Sequence, residues 1–337
     1  MTPRERVYSR LKGNHVDKIP NFSIVMLFAA YHARIPYDAF CSDYRALVKA
    51  QTLTAKDFGL DILSAMSDPY RETYDYGAPV KYVKDDLPAC EGPMFSSIDE
   101  WRDKLHRWDP FKSTRMLDRI NAIDLFRNEN GDEYPILGWV EGPLAEFCDL
   151  ATINEGMMML YDSEEILEEC LDFITGQQIE CALAQIEKGA DIIGIGDAAA
   201  SLVSKDMYET LIQKREKKII DAIQSNGALC KLHICGNINH ILPEVIDTGA
   251  AIVDIDYNVD FDRAIELGNG RCSICKHIEP AGIILRGTPH EVADRVDFCV
   301  QHGNSASIVS SGCEVPKETP EENLMAIHRR LLEIGSR

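Results

Sequence analysis

Lys188-Gly-Ala-Asp-Ile-Ile-Gly-Ile-Gly-Asp197 carries the chain from the end of a helix into a strand with almost nothing between them. Upstream, Asp162-Ser-Glu-Glu165 reads as a capping box, and Ile166, Leu167, Cys170 and Phe173 follow at helical spacing, which predicts a helix over 162–187. Lys188 suits the negative end of that helix, and Gly189 suits the left-handed position that stops it. The apolar run 191–196 begins at once, so the unit is helix, glycine, strand. It recurs as 204–226 with Gly227 and as 239–248 with Gly249. Strands that each follow a helix are parallel neighbours joined by right-handed crossovers. A long series of them closes into a barrel or opens into a doubly wound sheet.

Working outward from this stretch, β-rich runs fall at 19–27, 61–67, 134–140, 191–196, 228–235, 251–257, 273–278 and 305–310. Eight is the number that a closed (β/α)8 TIM barrel requires, so the expected fold is an α/β barrel forming a single domain over residues 1–337. Between 68 and 133 the pattern weakens into Pro, Asp, Gly and aromatic residues around one short predicted helix at 97–106. This stretch is expected to be an insertion or lid over the barrel mouth.

The chain has 337 residues, of which 45% are hydrophobic and 27% charged, which is ample material for a core. Its net charge of −20 repels phosphate backbones and anionic headgroups, so nucleic acid is not an expected partner. No run of eighteen apolar residues occurs, and MTPRERVYSRLKGN carries charges where a signal peptide needs an apolar segment. The expectation is a cytoplasmic protein with no membrane association. Eleven cysteines then read as thiols, some of them ligands or core residues, rather than as a disulfide framework.

Lys231-Leu-His-Ile-Cys-Gly236 carries the chemistry. It ends a predicted strand, where barrel enzymes place their active residues, and side chains two apart on a strand share a face, so His233 and Cys235 aim into one pocket. Cys313, in Ser311-Gly-Cys-Glu-Val-Pro316, lies just past another predicted strand end. Two thiolates and an imidazole suit zinc, and three protein ligands leave the open position of a catalytic site. A metal there would deprotonate a substrate thiol and supply a nucleophile for methyl transfer. These ligands fall on the fifth and eighth predicted strands, which are not adjacent, so loops are expected to bring Cys313 across. The bland alternative is a core histidine with two small buried thiols.

Nearly the whole chain resembles the uroporphyrinogen decarboxylase superfamily, in its cobamide-dependent methyltransferase branch of methylcobamide:coenzyme M type. The resemblance lies in Thr2-Pro-Arg-Glu-Arg-Val7, Asp17-Lys-Ile-Pro20, Val140-Glu-Gly-Pro143, Gly189 to Asp197, Leu232-His-Ile-Cys-Gly236, Arg286-Gly-Thr-Pro289, Gly312-Cys313 and Thr319-Pro-Glu-Glu-Asn323. It implies a TIM-type barrel, with His233, Cys235 and Cys313 as zinc ligands and a corrinoid (methylcobamide) on a partner corrinoid protein as co-substrate. The other substrate would be a small-molecule thiol or methyl donor. The true decarboxylases carry Met-Arg-Gln-Ala-Gly-Arg-Tyr near the first strand. Here Met26-Leu-Phe-Ala-Ala-Tyr-His-Ala-Arg34 has one arginine, too few to clamp several carboxylates. Where the family commonly shows Gly-Asn-x-Asp-Pro, this chain has Lys276-His-Ile-Glu-Pro280, and Lys276, His277 and Glu279 are candidates for contact with substrate or a corrinoid edge.

Two further acids end strand-like runs. Asp197 is a candidate partner for the imidazole or a transient fourth ligand, and Glu141 is a candidate pocket acid or a cap for the next helix. Asp254, Asp256 and Asp260 alternate along and after a strand, so that Asp254 and Asp256 share a face that would suit a hard cation, but in so acidic a chain they read as structural. Cys272 and Cys275, three apart, face opposite sides of a strand and are not expected to bridge. The expected activity is zinc-dependent methyl transfer; its rivals are decarboxylation of a smaller acid and a non-enzymatic zinc- or corrinoid-binding module.

Overall fold

Seven of the eight predicted runs form one parallel sheet. The computed structural model describes residues 1–335, the side chains at 276 and 277 excepted. Its strands are β1 (Leu63–Ser64), β2 (Val80–Val83), β3 (Asp86–Cys90), β4 (Ile136–Glu141), β5 (Ile192–Gly196), β6 (Leu229–Ile234), β7 (Ile252–Ile255), β8 (Ser273–Ile278) and β9 (Ile308–Ser311). The main sheet runs β1, β4, β5, β6, β7, β8, β9 with every pair parallel, and β2 and β3 form a separate antiparallel hairpin.

Inward-facing Leu137 and Trp139 of β4, Ile192 of β5, Ile252 of β7, Cys275 of β8 and Ile308 of β9 pack with Val7, Phe22 and Ile62 in one apolar cluster. Strands from opposite edges can share a cluster only if the sheet is curled, and this one is a TIM-like half-barrel. A second, larger cluster fills the space between the outer face and the helices, among them Tyr44–Phe58, Arg115–Asn130, Glu164–Glu187, Lys214–Ser225, Pro289–Gln301 and Glu321–Ile334.

The expected strand at 19–27 is replaced by isolated bridges of Asn21 to Val309 and Ile24 to Glu314. Phe22 donates to the Val309 carbonyl at 2.8 Å, the Val309 amide to Pro20 at 3.1 Å, and the Asp61 amide to Asn21 at 2.9 Å, so this segment spans both edges of the sheet. It is not a regular ladder because side chains stand in for main-chain acceptors: the amide of Asn21 donates to Asp61 Oδ2 at 2.8 Å and that of Ile24 to Ser311 Oγ at 2.9 Å.

The helix quoted above spans Glu164–Glu187 and ends as predicted, with Gly189 at φ +102°, a left-handed turn that costs glycine nothing. Its predicted capping box does not form, since Ser163 is the N-cap and makes no side-chain cap bond. The helix expected over 239–248 shrinks to Leu242–Ile246, because Pro243 fits only the first turn and Asn237 accepts from the Asn239 amide in a turn of its own.

The span 68–133 is woven into the barrel. Its helix Arg115–Asn130 packs on β4 and on Tyr44–Phe58 as a crossover helix should. Buried ion pairs fasten it: Asp68 binds Arg115 through two bonds of 2.8 and 2.6 Å, and Arg71 binds Asp118 at 2.9 Å. Among the described residues, no helix is long and apolar enough to cross a membrane.

Candidate metal centre

β6 ends at His233-Ile234, with Cys235 one residue beyond, and the strand period sends His233 and Cys235 to the interior while Ile234 packs outward into the helix-facing core. At Gly236 the chain turns away, with its amide donating to Asp256 Oδ2 at 2.9 Å. On the far wall, Cys313 sits two residues beyond β9, in a turn fixed by the Gly312 amide on the Ile278 carbonyl at 2.8 Å and by Ser311 Oγ on the Cys313 carbonyl at 2.7 Å.

The three ligand atoms lie within 4.8 Å of one another, and among the described residues no further His, Cys, Asp or Glu joins the group. His233 Nε2 is 2.8 Å from Cys235 Sγ, and the two sulfurs are 3.8 Å apart. Loops do not ferry Cys313 across, as the strand count had suggested. β6 and β9 are separated by β7 and β8, and the curl of the sheet itself sets their C-terminal ends face to face.

A tetrahedral zinc with Zn–S of about 2.3 Å places two thiolates about 3.8 Å apart and a thiolate and imidazole nitrogen about 3.5 Å apart. The sulfur pair matches this, and the nitrogen–sulfur pair, at a hydrogen-bonding 2.8 Å, differs from it by less than 1 Å. The donor set suits zinc, and of its separations the sulfur pair has the tetrahedral spacing.

Electrostatics favour a cation here. Burial alone would lower the His233 pKa, but the Asp254 carboxylate and its hydrogen bond raise it to about 9. A hydrogen bond from Cys235, opposed by burial and joined by one from His233, holds Cys313 down at about 4, a thiolate at neutral pH. Cys235 is pushed up, by that same bond to Cys313 and then by burial.

Asp254 is the residue that sequence reasoning passed over. Opposite His233 in the β6–β7 register, it lies with its main-chain oxygen 3.2 Å and its Oδ2 3.3 Å from His233 Nδ1, and it forms a buried ion pair with Lys231. The available signal was the shared inward face of Lys231 and His233 on one strand and of Ile252 and Asp254 on the next. Asp256 anchors the Gly236 turn, and Asp260 caps the helix Phe261–Gly268 through the Arg263 amide.

The Asp197 carboxylate accepts from the amides of Ala145 at 2.7 Å and Leu144 at 3.4 Å, so it caps the helix Pro143–Ala151, the task considered for Glu141. Burial raises Asp197 to about 7. Glu141 instead accepts from the Trp139 indole at 2.9 Å, and burial, reinforced by Glu72, pushes it well above the usual carboxylate range. Glu279 is half-buried just after β8, and among the described hydrogen bonds and ion pairs none joins it, Glu141 or the Asp197 side chain to the three donors. The side chains of Lys276 and His277 lie outside the described residues. All eleven cysteines, Cys272 and Cys275 included, are free thiols.

The uroporphyrinogen decarboxylase (URO-D) family profile matches residues 2–331. The methylcobamide:CoM methyltransferase MtbA of Methanosarcina acetivorans is 27% identical over 332 residues, covering 96% of this chain and 95% of its own. The methylcobamide:CoM methyltransferase MtaA of Methanosarcina barkeri is 28% identical over 211 residues, 62% of this chain and 61% of its own. A solved methyltransferase from Methanosarcina mazei superposes with a TM-score of 0.90 over 99% of both chains at 22% identity, a likeness of fold. The chain belongs to the uroporphyrinogen decarboxylase family, and its relatives include methylcobamide:CoM methyltransferases.

Proposed function

We propose that this protein is a zinc-dependent methyltransferase that moves a methyl group between a corrinoid, carried as methylcobamide on a partner corrinoid protein, and a thiol or related nucleophile. One observation carries the reading: an imidazole nitrogen and two sulfurs, drawn from opposite walls of the half-barrel, converge at the C-terminal ends of the strands. His233, Cys235 and Cys313 would hold the zinc, which when bound supplies a Lewis acid that keeps a substrate thiol deprotonated at neutral pH. The two cysteine ligands lower the net charge of the centre and so leave that thiolate electron-rich.

The surrounding residues shape the pocket. Asp197 pins the N-terminus of the helix Pro143–Ala151, and Glu141, bonded to the Trp139 indole at the end of β4, is the candidate pocket acid. Leu202 and Tyr257, a few residues past the ends of β5 and β7, are exposed apolar side chains on which a partner protein can rest. Lys276, His277 and Glu279 remain candidates for the corrinoid edge. In this reading the chain is one cytoplasmic barrel over 1–337, closed by the segment at 19–27 as its eighth stave, with the loop-rich part of 68–133 beside the mouth.

The test is metal analysis of the purified protein and of Cys235→Ser and Cys313→Ser, coupled to demethylation of methylcobalamin with several thiols. The expected result is about one zinc per chain, lost in both variants with the fold retained, and thiol-dependent demethylation lost with it. Wild-type protein without zinc and without thiol-dependent demethylation would favour a metal-free decarboxylase. Unfolding on chelation would favour a zinc-stabilised module.

A further inference from the structure

We propose that Lys231 and Asp254 are positioning residues for His233, an ion pair set inside the barrel that selects one ring tautomer and turns Nε2 toward the two sulfurs. This inference rests on the zinc reading above and extends it beneath the ligands.

The pair sits where a barrel keeps apolar side chains. Lys231 and Asp254 are each 1% exposed, and the inward faces around them carry Trp139, Ile252, Cys275 and Ile308. Stability does not explain such a pair, because removing two charges from water costs about as much as their attraction returns, and apolar pairs of equal volume often do as well or better. A geometric task does explain it. His233 Nδ1 faces two oxygens of Asp254, the main-chain carbonyl at 3.2 Å and Oδ2 at 3.3 Å, and both are acceptors. Nδ1 therefore carries the proton, and in the neutral ring the remaining lone pair is on Nε2, which lies 2.8 Å from Cys235 Sγ.

The carboxylate is itself held from below. The Lys231 ammonium binds Oδ2 and lies 5.7 Å from the centre of the Trp139 ring. Trp139 in turn is locked over β5, where a Cβ on Gly194 would come within 2.2 Å of the indole. Imidazole, carboxylate, ammonium and indole form a column rooted in the packed interior, so the ring's orientation is set from within the barrel and not from its rim.

The experiment titrates zinc, in competition with a chromophoric chelator, into the wild-type chain, Cys235→Ser, and the double variant Lys231→Met/Asp254→Leu, which removes both charges and leaves neither orphaned. The 15N shifts of the His233 ring are read in the same proteins without metal. The expected result is about a 10- to 100-fold loss of zinc affinity in the double variant, with melting close to wild type and ring shifts, recorded above the His233 pKa of about 9 where the ring is neutral, that move from the Nδ1-protonated pattern toward a tautomer mixture. Zinc affinity within twofold of wild type and an unchanged ring tautomer would overturn the proposal. If wild type and Cys235→Ser both fail to bind zinc, the zinc reading falls while the ring shifts still decide the positioning role. If the double variant does not fold, Asp254→Asn is judged by the same two measurements and the same outcomes.

Discussion

Between β6 and β7 a buried carboxylate, Asp254, lies against an ammonium and an imidazole. Across the interior, at the end of β4, Glu141, Glu72 and Glu146 are buried close to one another, with Arg119 3.7 Å from Glu72. Burial, followed by the field of Glu72, raises both Glu141 and Glu146 well above the usual carboxylate range. One wall of the barrel thus tolerates buried acid by pairing it and the other by keeping it protonated. Pairing fixes directions in space, which is what a ligand sphere needs, whereas protonation leaves a region whose stability answers to pH.

Three changes would break or sharpen that contrast. The largest effect is expected from Lys231→Met alone, which strands a charge at Asp254 and should remove roughly 3–5 kcal/mol of unfolding free energy in a denaturant titration. A loss under about 1 kcal/mol would mean that Asp254 simply takes up a proton, and the two walls would then be alike. Next is Gly194→Ala, whose new methyl meets the Trp139 ring that separates the walls. Overpacking of this kind costs about 1–3 kcal/mol, seen as a lower melting temperature, and an unchanged melting point would show the indole free to swing aside.

The smallest change is Glu146→Gln. Glu146 Oε1 accepts from Thr73 at 3.1 Å, while Oε2 is buried without a hydrogen-bond partner. A carboxyl whose pKa is raised on folding binds more protons folded than unfolded. Its stability contribution is therefore complete below the ordinary glutamate range and is lost as pH rises toward the raised value. The wild type should lose stability over that rise, and the variant should lose less, by under about 1.4 kcal/mol per pH unit, the limit for one proton. Identical slopes in chemical denaturation across pH would place a paired charge on this wall too.

How far the sequence reached follows from which forces are local. The helix, glycine, strand unit at 162–196 depends on neighbours along the chain, and seven strands and the end of the helix Glu164–Glu187 appear where that pattern puts them. His233 and Cys235 share a face by strand period alone, and Cys313 was recognisable from its place past a strand end. What escaped depends on partners far apart in sequence. The 19–27 segment alternates like a strand, but Asp61 and Ser311 side chains take the bonds a ladder would use. Glu141 and Asp197 both looked like pocket acids, and only the packed fold shows which one caps the helix Pro143–Ala151. Asp254 was read as structural: in a chain with 55 acidic residues the inward face it shares with Ile252 is a weak signal until the fold sets Lys231 beside it.

The seam at residues 20–24 bears on how the molecule is assembled. Those residues are made long before Val309, with which Pro20 and Phe22 exchange main-chain bonds on the far edge of the sheet. Until then the growing sheet has a raw margin on the side of its newest strand, open to misdirected pairing with other chains. A seam between segments so far apart in sequence closes late, so helpers that shield nascent chains should matter more to this protein than its many short-range crossovers would suggest.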